Sequence, residues 1–222
     1  MNSKQKFTAF LPIKLISERV YNKNFRLIAG KPLFFYILNT LTNINLIDEI
    51  VIDFDDKQVV TEVQKYFKNI KFIKRNENLL DPYESLNNLI FSNISNFKNE
   101  YIIQTHVTNP LLKGETIQTA LLSFLEVDQP MFSVSKFKSR FYNHNLKPLN
   151  HSLEKLLPTQ KLKPLYEENS NFYIFSKKQF LEKKNRINEK SKIFEISKLE
   201  SFDIDDEEDF EIVTKLLESN RL

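Results

Sequence analysis

The sequence predicts an α/β fold of three layers, with a mostly parallel sheet flanked by helices. Short apolar runs of strand type recur at 7–13 (FTAFLPI), 50–54 (IVIDF), 70–73 (IKFI), 101–104 (YIIQ) and 131–134 (MFSV). Between them, apolar residues fall at helical spacing. The length of 222 residues suits one domain with a substantial core. Alternating strands and helices favour parallel pairing, because each helix returns the chain to the edge where the last strand began. Ligands of such sheets sit beyond the carboxyl ends of the strands. The loops after Ile13 and Gln104 are therefore the places to seek chemistry.

In chain order, the first strand ends near Pro12, and 14–26 is polar and aperiodic, a loop. Gly30-Lys31-Pro32 punctuates, and Pro32 fits the first turn of a helix carrying Leu33, Phe34, Ile37, Leu38 and Leu41. Strand 50–54 leads to a helix with Val59, Val60, Val63, Tyr66 and Phe67. After strand 70–73, Pro82 opens a helix with Leu86, Leu89, Ile90 and Ile94. Strand 101–104 exits through Asn109-Pro110 to a helix over 116–125, and strand 131–134 follows. The stretch 136–170 holds Pro148, Pro158 and Pro164 and has no period, which predicts an excursion, a lid or a dimerisation arm, within a single domain spanning 1–222. Strands at 171–175 and 193–196 and a helix over 207–217 complete the chain. The lysine-rich run 177–192 reads as a solvated helix face.

Composition narrows the chemistry. The formal net charge is +3, from 32 basic and 29 acidic residues. This near-balance gives no reason to expect nucleic acid or a membrane surface as partner. There are no cysteines, which excludes disulfides, thiolate nucleophiles and zinc-thiolate sites. The polar N-terminus gives the run 7–13 no signal-peptide flank, and no stretch nears the roughly 18 apolar residues of a membrane span. The expectation is a cytoplasmic protein. Glycine occurs only twice, at Gly30 and Gly114. A phosphate cradle built from several glycines is therefore excluded, and a nucleotide site must use side chains and a few backbone amides.

Three constellations carry chemistry. The loop 14–26 (KLISERVYNKNFR) sets Lys14, Arg19, Lys23 and Arg26 among Ser17, Asn22 and Asn24 directly after a strand. A triphosphate needs such cations and donors; an ordinary solvated basic loop has the same composition. In 201–210 (SFDIDDEEDF), Asp203 and Asp205 stand two apart, so on an extended segment both carboxylates face one way. Paired carboxylates beside phosphates suit Mg²⁺. Helix capping by Asp205 with Glu208 explains one of the two equally well, and leaves Asp203 over. The third is 104–112 (QTHVTNPLL), where His106 is either a hydrogen-bonded loop histidine or a substrate contact.

Residue order sharpens these readings. LPIKLISERVYNKNFRLIAGKPL, residues 11–33, resembles without a gap the opening signature of the acylneuraminate and Kdo cytidylyltransferases, usually close to IPARGGSKRIPxKNIKPLAGKPL. Pro12, Ser17, Lys23, Asn24, Gly30, Lys31, Pro32 and Leu33 match. Lys14 stands at the phosphate-binding arginine, Arg26 at a lysine, and Leu15-Ile16 at the Gly-Gly pair. The Ser17-Glu18-Arg19 variant looks like a divergent branch in which Arg19 shares the phosphate work. SFDIDDEEDF resembles the family's DIDxPEDF signature, whose two aspartates bind the metal. QTHVTNPLL resembles LQPTSPLR: Thr108, Pro110 and Leu111 match, Asn109 replaces serine, His106 falls at glutamine, and Leu112 replaces an arginine expected to contact the sugar. Arg75, Ser85 and Asn87 lie where the family recognises cytosine, and YEENSNFYIF resembles its ENGAIYIF strand, with Glu168 and Asn169 near the sugar.

The resemblance implies a divergent member, like the CMP-sialic acid synthetases, on the nucleotide-diphospho-sugar transferase (Rossmann-like) architecture. It implies transfer of CMP from CTP to a sialic-acid-like or other 2-keto sugar acid, with release of pyrophosphate, for surface polysaccharide biosynthesis. Lys14, Arg19 and Lys23 would neutralise phosphates, Asn24 would orient the nucleotide, and Asp203 with Asp205 would hold Mg²⁺. Pro12, Ser17, Arg75, Ser85 and Asn87 would complete the nucleotide site. His106, Thr108, Asn109, Glu168 and Asn169 would contact the acceptor, and 136–170 would join a homodimer. Two alternatives stay open: a nucleotidyltransferase for another sugar or alcohol, and a non-catalytic nucleotide- or sugar-binding homologue.

Overall fold

The structure, a computed structural model, describes residues 5–17, 19–81 and 83–219. Glu18 of the first loop and Pro82, expected to open a helix, lie outside the described residues. In chain order the first half runs β1 (Phe7–Ile13), the short strands β2 (Leu27–Ile28) and β3 (Lys31–Pro32), α1 (Leu33–Thr42), β4 (Ile47–Phe54), α2 (Lys57–Gln64), β5 (Lys71–Lys74) and α3 (Leu86–Asn93). The second half runs β6 (Tyr101–Thr105), α4 (Gly114–Val127), β7 (Met131–Phe137), β8 (Leu165–Ser176), α5 (Lys177–Lys183), β9 (Lys192–Glu195) and α6 (Glu207–Glu218).

Seven strands form one sheet in the order β5-β4-β1-β6-β8-β7-β9. β5, β4, β1 and β6 pair in parallel, β8 is antiparallel to both β6 and β7, and β9 is parallel to β7. The sheet is thus mostly parallel, with one reversed strand. Its side chains alternate between faces. Phe7, Ala9, Leu11 and Ile13 of β1 join a core with α1, α2 and α4, while Phe10 joins another with α3 and α5. These are the three layers that the alternation of elements predicted.

Several boundaries differ from expectation for identifiable reasons. Pro32 occupies the cap position of α1 rather than its first turn, in extended backbone at φ −64°. The turn before it, Ala29-Gly30, is left-handed at both residues (φ 46° and 77°), as a two-residue hairpin requires. α3 starts at Leu86, and its cap is Ser85, whose side chain accepts from the Asn87 amide. Tyr66 and Phe67 follow α2 instead of belonging to it. β8 begins six residues before the apolar run at 171–175, because Leu165–Glu168 pair along β7 from Phe137 to Val134. The excursion between β7 and β8 therefore covers 138–164. Asn150 pins it internally, donating to the carbonyls of Ser139 (2.8 Å) and Lys163 (3.1 Å). Among the described residues no helix is long and apolar enough to cross a membrane.

Candidate active site

β1 and β6 are neighbours whose carboxyl ends lie at the same edge of the sheet, and the strands after them go to opposite sides. The crevice beyond that point is where an open α/β sheet takes its ligand. The loop after β1 folds back there through a 3-10 turn at Lys23–Phe25. Val20 anchors it, fully buried with Ile28, Leu33, Leu111, Ile204, Phe210 and Val213. One apolar cluster thereby joins the first loop, the loop after β6 and the segment leading into α6.

Ile204 is the hinge of that arrangement. Its amide donates to the Thr108 carbonyl (3.0 Å), its carbonyl accepts from Lys23 Nζ (2.5 Å), and its side chain is buried. Asp203 and Asp205 flank it, so along extended backbone they face away from the apolar cluster. Both line a cavity of about 330 Å³ together with Glu167, Glu168, Asn169, Ser170 and Ser201. Asp205 meets Arg19 across 2.8 Å. Capping of α6 falls to Asp206, which forms a reciprocal capping box with Asp209. The capping explanation expected for Asp205 thus passes to its neighbour, and both aspartates of the pair are left to the cavity.

Arg19 also lines a larger cavity of about 760 Å³, with Pro12, Lys14, Ser17, Lys23 and Asn24 from the first loop, Arg75 from the end of β5, and His106 and Thr108 from the loop after β6. Asn24 donates to the Lys14 carbonyl (2.8 Å) and closes the loop on itself. Arg26 turns elsewhere: it pairs with Glu207 (2.6 Å) and lies 3.8 Å from the Phe210 ring centroid, a clamp between the loop and α6. Leu15 and Ile16, at the expected glycine positions, diverge. The Leu15 amide donates to Asp55 (2.9 Å), whereas Ile16 is 67% exposed at the cavity rim.

The electrostatics are specific. Burial lowers the Lys23 ammonium's pKa, against the pull of Asp203. Burial raises the Asp203 carboxyl; a hydrogen bond from Thr108 opposes the rise, and Asp205 adds to it. Asp203 Oδ1 is buried with no hydrogen-bond partner. Arg75 Nε donates to Asp53 (2.6 Å), both side chains being 1% exposed, and Asn93 donates to the other oxygen of Asp53 (2.9 Å). Arg75 Nη2 remains buried and unpartnered beside the cavity. An unpaired buried donor costs about 1–3 kcal/mol unless a ligand accepts from it. His106 is pulled down to about 4, first by burial and then by Arg186 and Lys23.

The remaining expected residues divide. Glu168 accepts from the Tyr173 hydroxyl, and the Asn169 amide sits between the Ser133 and Ser135 hydroxyls (2.6 and 3.0 Å). Asn109 is buried with neither amide atom partnered, outside the lining of both cavities. Ser85 caps α3, and Asn87 holds Asn185 (3.0 Å) and the Arg186 amide (3.3 Å), so neither lines the larger cavity. Leu112 is buried in the core and does not line the smaller cavity. Sequence reasoning passed over Asp53 and Asp55. A carboxylate inside the run IVIDF was a signal, because a charge in a buried strand requires a partner. Arg186 carried no signal inside its lysine-rich run.

A family model described as cytidylyltransferase matches residues 9–222. The chain is 26% identical to the CMP-N,N'-diacetyllegionaminic acid synthase of Legionella pneumophila, covering 96% of this chain and 97% of that protein. It is also 26% identical to a pseudaminic acid cytidylyltransferase of Campylobacter jejuni, covering 95% of each. Among solved structures it is similar to a CMP:2-keto-3-deoxy-manno-octonic acid synthetase complexed with CTP, with TM-score 0.72 and 15% identity over 96% of this chain and 99% of that one. A 4-diphosphocytidyl-2C-methyl-D-erythritol synthase from Anaerococcus prevotii has TM-score 0.68 and 14% identity over 97% and 98%. Those two show a shared fold. The family match spans nearly the whole chain, and the protein belongs to the cytidylyltransferase family of nucleotidyltransferases.

Proposed function

We propose that the protein transfers CMP from CTP to the anomeric hydroxyl of a sialic-acid-like or other 2-keto sugar acid. The hydroxyl oxygen bonds to the α-phosphorus, the bond from that phosphorus to the oxygen bridging the α- and β-phosphates breaks, pyrophosphate leaves with the bridging oxygen, and the hydroxyl proton passes to solvent water. One observation carries this reading: Ile204 fixes Asp203 and Asp205 where the basic cavity meets the acidic one. A reaction joining a nucleotide to an acceptor needs its charge control at that junction.

The larger cavity takes CTP. Lys14, Arg19 and Lys23 offset the triphosphate, Pro12, Ser17 and Asn24 shape its floor, and Arg75 Nη2 donates to a cytosine acceptor. Such a site works by positioning and charge neutralisation. The fit to Mg²⁺ rests on the unpartnered oxygen of Asp203 and an all-oxygen donor pair. Mg²⁺ is commonly bound by one or two carboxylates plus phosphate oxygens and water. Among the described residues no group of three or more metal-ligating side chains occurs, so nucleotide phosphates would complete the sphere. When bound, the ion would draw charge from the phosphate oxygens. Burial of Asp203 and its hydrogen bond from Thr108 keep that carboxylate in one orientation.

The smaller cavity takes the acceptor, with Glu168 and Asn169 on one wall and Thr108 and His106 near the nucleotide; buried Asn109 supports that loop. Neutral at pH 7, His106 is a hydrogen-bonding wall rather than a base. Leu146, Leu153 and Leu156 in 138–164 are 80%, 63% and 63% exposed. That arm covers them in a homodimer, and light scattering at the monomer mass would sink this assignment.

The smaller cavity's four carboxylates also favour a second reading, an alcohol acceptor lacking a carboxylate. Pyrophosphate release with CTP, Mg²⁺ and a panel of 2-keto sugar acids and polyols decides between them. Turnover with a sugar acid is expected. Turnover with a polyol alone establishes the second reading, and CTP binding without turnover makes the chain a binding homologue.

A further inference from the structure

Behind both cavities, and lining neither, stands Arg186. α5 ends at Lys184 in left-handed backbone, and the chain then turns back toward the sheet. Asn87 on α3 holds that turn from both sides, donating to Asn185 Oδ1 (3.0 Å) and accepting from the Arg186 amide (3.3 Å). Ile187 packs into the apolar core beside it. Arg186 is thereby directed inward, out of a run otherwise rich in solvated lysines.

Its guanidinium makes two connections. Cζ lies 3.7 Å from the centroid of the Tyr173 ring, whose hydroxyl donates to Glu168 in the wall of the acidic cavity. Nη1 donates to Gln104 Oε1 (2.8 Å). Gln104 is fully buried, and its amide nitrogen, 3.1 Å from the Thr105 carbonyl, is 3.0 Å from His106 Nε2. With Oε1 committed to the cation, the amide presents N–H to the imidazole. Neutral His106 therefore accepts at Nε2 and carries its proton on Nδ1.

A half-buried cation costs desolvation energy, and a hydrophobic side chain of similar volume is often at least as stabilising. Here the cation stands behind both sites at once: through Gln104 it fixes the hydrogen-bonding direction of His106 in one cavity, and through the Tyr173 ring it backs the hydroxyl that holds Glu168 in the other. We propose that Arg186 is a positioning residue for the acceptor, coupling the orientation of His106 at the nucleotide cavity to that of Glu168 in the acidic cavity. This rests on the assignment of the acidic cavity to the acceptor. A positioned donor on one side and a positioned acceptor on the other recognise a polyhydroxylated substrate by direction, which suits an acceptor rather than a phosphate chain.

The test uses Arg186→Met, Arg186→Lys and Tyr173→Phe in the full chain. For Arg186→Met the acceptor KM rises about tenfold, the loss of one charged hydrogen bond, with CTP affinity held within about twofold. Arg186→Lys recovers part of that loss. Tyr173→Phe keeps the ring, raises the acceptor KM and leaves His106 unchanged. Long-range ¹H–¹⁵N NMR of the His106 ring reads the coupling without turnover: the wild type shows a neutral Nδ1–H imidazole, and Arg186→Met shows mixed tautomers. An unchanged His106 tautomer in Arg186→Met overturns the proposal, as does equal weakening of CTP and acceptor. If the wild type turns over no acceptor, the proposed function fails, while the NMR result still decides the coupling.

Discussion

The two cavities that meet at Arg19 and Asp205 are built to opposite sign. The larger gathers Lys14, Arg19, Lys23 and Arg75; the smaller gathers Glu167, Glu168, Asp203 and Asp205. Each is supported differently as well. In the first loop the basic side is held by backbone, although Arg75 and Arg19 pair with the side chains of Asp53 and Asp205: the Lys14 carbonyl takes the Asn24 amide, and the Ile204 carbonyl takes Lys23. On the acidic side, side chains hold side chains, through Tyr173 to Glu168 and through Ser133 and Ser135 to Asn169. A triphosphate presents the same charges whatever the acceptor is, so its cradle can be wired into the main chain. An acceptor varies in its hydroxyls and substituents, and side-chain pairs can be exchanged without refolding a loop.

Substitutions on the basic side should accordingly cost more. Lys23→Met removes the buried cation proposed for the phosphates and leaves the Ile204 carbonyl without its donor. Turnover is expected to fall about 100-fold, with a stability loss of about 1–2 kcal/mol by denaturant titration; a change below threefold would place Lys23 outside the phosphate site. Arg75→Lys keeps a charge near Asp53 but has no second guanidinium nitrogen for the base. The KM for CTP should rise about tenfold while the acceptor KM holds, and equal rises in both would break the division of labour.

A pH dependence of stability completes the set. The folded protein holds His106 at about 4, below its ordinary 6.5, so the unfolded chain takes up that proton first. The contribution of His106 to stability must then fall as pH drops from 6.5 toward 4. His106→Gln should lack a loss of about 3 kcal/mol across that range. The raised carboxyl of Asp203 works in the opposite direction in both proteins and cancels from the difference. Parallel melting curves across that range would show His106 to be solvated.

The same division explains what could be read from the sequence. β1, β4 and β6 were visible because strands buried on both faces are continuous apolar runs. The ordered match at 11–33 singled out the loop, and the resemblance of 201–210 to the family's C-terminal signature singled out Asp203 and Asp205. The start of β8 was hidden because its polar Tyr166-Glu167-Glu168 pairs with β7 at the exposed rim and has no apolar alternation. The α6 cap was misplaced by one residue: in Asp205-Asp206 either aspartate has a carboxylate three positions on, and the ion pair with Arg19 claims Asp205. Arg186 was hidden for a deeper reason. Its role comes from a turn tied to α3 by Asn87, a contact across 99 positions that no local spacing records.

The first loop and the segment leading into α6 meet beside Asp203, the residue on which the proposed reacting centre most depends. Steady-state pyrophosphate release by Asp203→Asn, at saturating CTP and acceptor with Mg²⁺, tests it most directly. A fall of about 1,000-fold is expected, with the melting temperature at or above that of the wild type because a buried charge has been removed. Activity within a few-fold of wild type, from a protein equally well folded, would contradict the account.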